Sequence, residues 1–209
     1  MKIFWLSFLL SFSVISGEYP KNWWVWIDPT SAPSWEILPQ EAKAGEVILS
    51  KRTELGVFSN FALAPFCLDN SCYRSIEGFW QMMKYPEGIN DFRNSFEYPF
   101  DRKYVSQLWG KKAKEAGKVA NKIMKENGFN LISYSEEFFD YKDMADGSDF
   151  HYQIIFRAIR EKVIQNEPIK KLLLKTGNLI LRPDHYQGVR PQSYYYHDIL
   201  MLIREELRE

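Results

Sequence analysis

The chain has 209 residues, 45% hydrophobic and 16% aromatic, with 27 basic and 27 acidic side chains. That length fits one domain with a sizeable core, and the composition excludes a disordered chain. A formal net charge of zero nominates neither a nucleic acid nor a membrane surface as partner.

The opening MKIFWLSFLLSFSVISG carries one cation, Lys2, then an apolar run from Ile3 to Ile15 and small residues. This layout predicts a secretory signal peptide over 1–17, cleaved after Ser16 or Gly17, and hence export to a periplasm or the exterior. The run is short for a membrane span, so no stable membrane insertion is expected after cleavage; an uncleaved anchor is the alternative. Residues 18–45 hold four Pro and four Trp, which predicts an extended segment packed by its rings on a body formed by 46–209. EVILS at 46–50 reads as a strand. PFCLDNSCY reads as a hairpin turning at Asp69-Asn70, with Leu68 facing Ser71 and Cys67 facing Cys72. In an oxidising compartment that pair is a disulfide candidate, and one CxxxxC is weak evidence for metal.

From Ser75 onward the pattern is mostly helical, with candidate helices at 76–85, 88–96, 102–109, 111–126, 149–166, 167–175 and 194–208, and a strand at 178–182. The expected fold class is α+β, mainly α-helical with a small antiparallel sheet. Lys111, Lys114, Lys118, Lys122 and Lys125 share one helix face opposite Ala113, Ala116, Ala120 and Ile123. The face reads as a solvated amphipathic surface, with phosphate anchoring as the alternative.

YRSIEGFWQMMKYP, residues 73–86, raises the functional question. On a helix at about 100° per residue, Ile76, Phe79, Trp80 and Met83 face the core. Glu77, Gln81 and Lys84 fall within roughly 60° of one another, beside Trp80. Ser75 is an N-cap, Glu77 lies in the first turn where the dipole favours a carboxylate, and Pro86 with Gly88 ends the helix. The pattern alone fits a solvated polar edge as well as a reactive one.

GVFSNF at 56–61, a hairpin, then SIEGFWQMMKYP together resemble the entry signature of the NADAR family, named for its association with NAD and ADP-ribose. In that family a phenylalanine-serine-asparagine-phenylalanine segment precedes a helix with a glutamate and, seven residues on, a lysine. The resemblance runs on through AKEAGKVANKIMKENG, MADGSDFHYQIIFRAIREKVIQNEPIKKLLLKTGNLIL and DILMLIREEL, covering about 45–208. It implies a mostly helical α+β fold and chemistry on an N-glycosidic ribose. Relatives in the family hydrolyse early ribosylaminopyrimidine intermediates of riboflavin synthesis or remove ADP-ribose from modified guanine. By motif, Glu77 and Lys84 match the catalytic pair, Ser59, Asn60 and Phe61 the pocket segment, and Gln81 the intervening glutamine. The family usually has histidine after its glutamate, where this chain has Gly78. Its tail of an acidic residue, an aspartate and a tryptophan-glycine pair is replaced by LRPDHYQGVRPQSYYYHDIL, where Asp184 and His185 are the substrate-binding candidates.

Those residue types suit the reaction. A carboxyl with a raised pKa can protonate the leaving base or ring oxygen and later activate water. A neutral lysine can form a Schiff base with ring-opened C1, which requires Lys84 to be desolvated. Trp80, Phe58, Phe61 and Tyr73 are expected as walls, with Asn60 and Gln81 orienting ribose hydroxyls. His151 reads as a surface or boundary residue, RPDHYQG as a functional loop or a plain turn, Asp198 as a dipole partner opening the last helix beside His197, and SYYYH as pocket lining or core. No zinc spacing, phosphate loop or dinucleotide fingerprint occurs, so no metal and no cofactor are expected. The expected activity is an N-glycosidase-like hydrolase on a small-molecule or nucleic-acid-borne ribosyl or ADP-ribosyl substrate. The alternatives are a non-catalytic NAD- or ADP-ribose-type binding module and a secreted nucleotide-directed effector.

Overall fold

The computed structural model describes residues 19–142 and 150–209. The leader expected at 1–17 lies outside them. Three strand pairs and six α-helices alternate with short 3-10 turns among the described residues.

β1 (Glu46–Ile48) pairs with β6 (Ile180–Arg182), β2 (Phe66–Leu68) with β3 (Ser71–Tyr73), and β4 (Leu131–Tyr134) with β5 (Glu137–Asp140). The last two pairs are antiparallel hairpins, as expected of a small antiparallel sheet. The first runs parallel, Glu46 opposite Ile180, because the whole helical body intervenes and returns the chain in the same direction. Arg182 clamps Glu46 across this pair at 2.6 Å.

The β2–β3 hairpin has the expected register, Leu68 opposite Ser71 and Cys67 opposite Cys72. Asp69 and Asn70 both take left-handed φ, at 49° and 62°, a turn that suits their short polar side chains. The cysteine sulfurs are bonded, with Cα atoms 4.0 Å apart. The β4–β5 hairpin was not visible in the sequence. Its turn residues are Ser135 and Glu136, also at positive φ, and what steadies them is remote: the Glu87 carboxylate accepts from both of their backbone amides, at 3.1 and 3.3 Å.

α1 (Ile76–Met82) packs against α2 (Arg102–Ser106), α3 (Gly110–Glu126) and α4 (Phe150–Ile164), and all seven of its residues are buried. α5 (Glu167–Lys175) and α6 (Tyr196–Glu206) pack on α4 from behind. The helix expected over 88–96 is reduced to a 3-10 turn, Phe92–Ser95. The Asp91 carboxylate takes the amides of Glu87 and Arg93, a local bonding pattern that competes with helix. The lysine face of α3 is exposed while Ala113, Ala116 and Ala120 are buried. No helix among the described residues is long and apolar enough to cross a membrane.

The Trp-rich segment is tied down by two of its four rings. Trp23 is in the core and donates to the Glu54 carboxylate at 2.7 Å, and Trp24 donates to the Glu46 carbonyl at 2.9 Å. Trp26 and Trp35 remain exposed.

Candidate active site

The 54–58 stretch forms a 3-10 turn capped by Thr53 and delivers the Ser59–Phe61 segment onto α1. Each carbonyl of that segment is bonded to a different helix. Ser59 O accepts from Lys162 Nζ at 2.9 Å, Asn60 O from the Glu77 amide at 2.9 Å, and Phe61 O from the Gly110 amide at 3.0 Å. The last two amides belong to the first turns of α1 and α3, which have no partner inside their own helices. Ser75 caps α1 as expected: its Oγ accepts from the Gly78 amide and donates to the Leu108 carbonyl, both at 2.9 Å.

The solvated-edge reading of α1 does not survive. Glu77 is 7% exposed, Gln81 9% and Lys84 4%. Gly78 explains part of this: a β-carbon there would collide with the Leu108 carbonyl oxygen, so glycine lets α1 lie flush on the backbone that follows α2. A histidine could not occupy that position in this packing. Gly117 of α3 does the same for Gln81, whose side-chain amide lies directly on its Cα. Gln81 Nε2 then donates to Glu77 Oε1 at 2.9 Å. Gln81 thus holds the carboxyl through its amide nitrogen; the sequence also leads us to expect it to orient a ribose hydroxyl.

Loss of water dominates the electrostatics. Burial raises the Glu77 pKa, opposed by the Gln81 hydrogen bond and by the charges of Lys84 and Lys114. Burial lowers Lys84 to about 8, opposed by Glu77 and assisted by Lys142. Lys84 Nζ sits 5.1 Å from the centre of the Tyr141 ring, and the Tyr141 hydroxyl reaches Asn121 at 3.3 Å. The backbone beneath Lys84 is fixed by two arginines. Arg93 donates to Met83 O at 2.8 Å, and Arg102 to Met82 O and Tyr85 O at 3.2 and 3.0 Å, bonding carbonyls at and just beyond the end of α1.

His151 is not a surface residue: it is 1% exposed, because α4 turns it inward against Trp80, ring centres 5.4 Å apart. Burial and, secondarily, the Lys84 charge lower its pKa to about 3, so it is neutral at physiological pH. Its Nδ1 meets Ser193 Oγ at 3.2 Å. Tyr194 packs edge-on to Trp80 at 4.4 Å, which brings the SYYYH stretch to the site. Asn60 Oδ1, Trp80 Nε1, Gln81 Oε1 and His151 Nε2 are buried without a hydrogen-bond partner among the described residues. Such atoms are costly unless something polar meets them.

Phe61 lies between two lysines, Lys51 at 5.9 Å and Lys114 at 5.8 Å from its ring centre. Outside it, Lys51, Thr53, Gly56, Val57, Ser59, Phe61 and Ala62 line a shallow groove of ≈ 340 Å³. Asp184 is buried and bonds to Lys51 and, at 2.8 Å, to His185 Nδ1. Burial works against its charge, yet His185 and Lys51 hold its carboxyl below the usual range. Asp184 and His185 are thus joined to Lys51, which lines the groove, while Glu77 and Gln81 lie on α1 and Lys84 in the turn just beyond its end. Tyr186, two residues after Asp184, is exposed.

The sequence reading did not single out Lys162, Tyr141, Arg93 or Arg102. All four lie far from α1 in the chain or act through backbone carbonyls, which leave no signature in a motif.

No family model matches the chain, and no curated protein matches it. Among solved structures, the NMR structure of the E. coli protein YbiA is similar, with a TM-score of 0.47 and 20% identity, covering 76% of this chain and 82% of that one.

Proposed function

We propose that this protein is an N-glycosidase-like hydrolase that cleaves the ribose C1–N bond of an ADP-ribosyl or ribosyl-phosphate adduct. The observation that carries the reading is the buried pair of Glu77, in the first turn of α1, and Lys84, in the turn just beyond its end, with pKa values displaced in opposite directions. Burial moves both groups towards the carboxylic acid and the free amine, the forms an acid and a nucleophile need. The motif resemblance of FSNF and SIEGFWQMMKYP supports the choice of ribose chemistry.

In this mechanism the Glu77 carboxyl protonates the ring oxygen, the ring opens, and C1 becomes an iminium to the base nitrogen. Lys84 Nζ adds to C1. The C1–N bond to the base then breaks, its electron pair and the surplus lysine proton leaving with the base. Water, deprotonated by the Glu77 carboxylate, adds to the resulting protonated Schiff base. The C1–Nζ bond then breaks as the hydroxyl proton passes to Nζ, releasing the sugar aldehyde and the free amine with Glu77 again protonated. Gln81 holds the Glu77 oxygen in place through these steps, while Trp80, Tyr141 and Tyr194 exclude water. Asn60 Oδ1 and Trp80 Nε1 offer an acceptor and a donor to the substrate. Export belongs to the same proposal, supported by the leader pattern and by the Cys67–Cys72 bond.

Borohydride added during turnover of ADP-ribosylated guanine or a ribosylaminopyrimidine should trap a sugar adduct on the peptide containing Lys84, read by mass spectrometry. Unimpaired turnover by Lys84→Ala would remove the nucleophile role. Saturable ADP-ribose binding without any product would favour the binding-module reading instead.

A further inference from the structure

Lys162 is a deeply buried cation that the mechanism does not use. It lies on α4, 2% exposed, behind the Ser59–Phe61 segment. Its Nζ donates to Ser59 O at 2.9 Å, so it faces backbone and does not reach substrate. Burial brings its pKa down to about 7, and no carboxylate among the described residues offsets its charge. A methionine would fill the same space at lower cost, because a buried charge held by one carbonyl is a net penalty to folding. The feature that gives the lysine a use is its place in the three-carbonyl arrangement. Ser59 O, Asn60 O and Phe61 O are held respectively by α4, α1 and α3, and the middle one holds the Glu77 amide. Among the described residues, the only other bond to Ser59 O is a local one, from the Ala62 amide at 3.1 Å.

We propose that Lys162 is a positioning residue of the site: by fixing Ser59 O it sets the 59–61 segment, and through Asn60 O the backbone of Glu77. It acts through that segment and touches no reacting atom. This rests on the reading of Glu77 as the acid, but the segment's docking can be measured without any turnover.

The test uses the full chain with its disulfide intact and the variant Lys162→Met. The expected thermal midpoint is equal to or higher than wild type. Amide hydrogen exchange at Glu77 and Gly110 should quicken about tenfold, since the segment that accepts their bonds is loosened. With a ribosyl substrate, kcat should fall about tenfold with KM within about twofold, the split expected when acid geometry rather than binding is lost. Exchange at Glu77 and Gly110 unchanged from wild type overturns the proposal, as does an unchanged kcat. If the wild type shows no turnover, the hydrolase reading fails alone and the exchange rates still decide the positioning role. Should Lys162→Met not fold, the wild-type chain supplies the measurement: the Ser59 carbonyl carbon-13 shift should titrate together with the Lys162 side chain. Independent movement of the two sinks the idea.

Discussion

Glu77 and Lys84 are displaced towards neutrality by one cause, the loss of water around α1, and each partly restrains the other. The titration of such a pair belongs to both groups, and its singly protonated form is the one that matters. Activity needs that single proton, on Glu77, with Lys84 free. Above about pH 8 the pair loses it, and in acid the amine and carboxyl are both protonated, so kcat should follow a bell with its alkaline limb near 8. Glu77→Gln should cut kcat by about a hundredfold or more, the usual loss for a general acid. It should also convert the residual curve into one that rises with pH through the titration of Lys84. A Glu77→Gln variant that kept the wild-type bell would remove Glu77 from the proton account. The residue types were legible in the sequence, but their protonation was not: a helical wheel gives direction, while burial comes from what packs over it.

At the scale of elements, α1 is a short helix that could not stand alone and is made rigid by its neighbours. Ser75 caps its start, Arg93 and Arg102 close its end, and Gly78 and Gly117 bring α2 and α3 against it. Gly117→Ala should place a β-carbon on the Gln81 amide and push it away from Glu77 Oε1. The expected result is a kcat loss of about tenfold or more at a stability cost of about 1–3 kcal/mol, typical of overpacking. Circular dichroism melts alongside kinetics separate the two effects; a stability loss with unchanged kcat would free Gln81 from any role in holding Glu77. The β2–β3 hairpin was readable because Asp-Asn carries its own turn signal, whereas the β4–β5 turn depends on Glu87, which sequence pattern does not reveal. The 88–96 stretch was misread for the related reason that the Asp91 carboxylate captured amides that a helix would have used.

For the molecule as a whole, the two buried lysines make stability depend on pH. Lys162 at about 7 and Lys84 at about 8 both lie below their unfolded value of 10.5. Between pH 7 and about 9.5 the unfolded chain binds more protons than the folded one, so stability rises with pH there. Glu77, raised by burial, acts in the opposite sense from pH 4.5 upward until its folded pKa is passed. The thermal midpoint of the wild type should therefore climb from pH 7 to 9, and the Lys162→Met variant should show a shallower climb. Parallel curves for the two proteins would show that Lys162 titrates like an exposed lysine.

Sequence alone determined the features that depend on near neighbours in the chain. These are the 3.6-residue periodicity of the long helices, the Ser75 cap, the Cys67–Cys72 register and the grouping of Glu77, Gln81 and Lys84 on one side of α1. Only the tertiary structure decided which way that side faces, that β1 and β6 run parallel, that His151 turns inward, and that Lys162 reaches Ser59 across the chain. The physical reason is range. Turns, caps and helical faces are set by backbone geometry over a few residues, but desolvation is set by whatever packs above a side chain. Here that covering comes from α3, α4 and the Tyr194 stretch, and it makes a polar helix edge a place where an acid and an amine lie close to neutral.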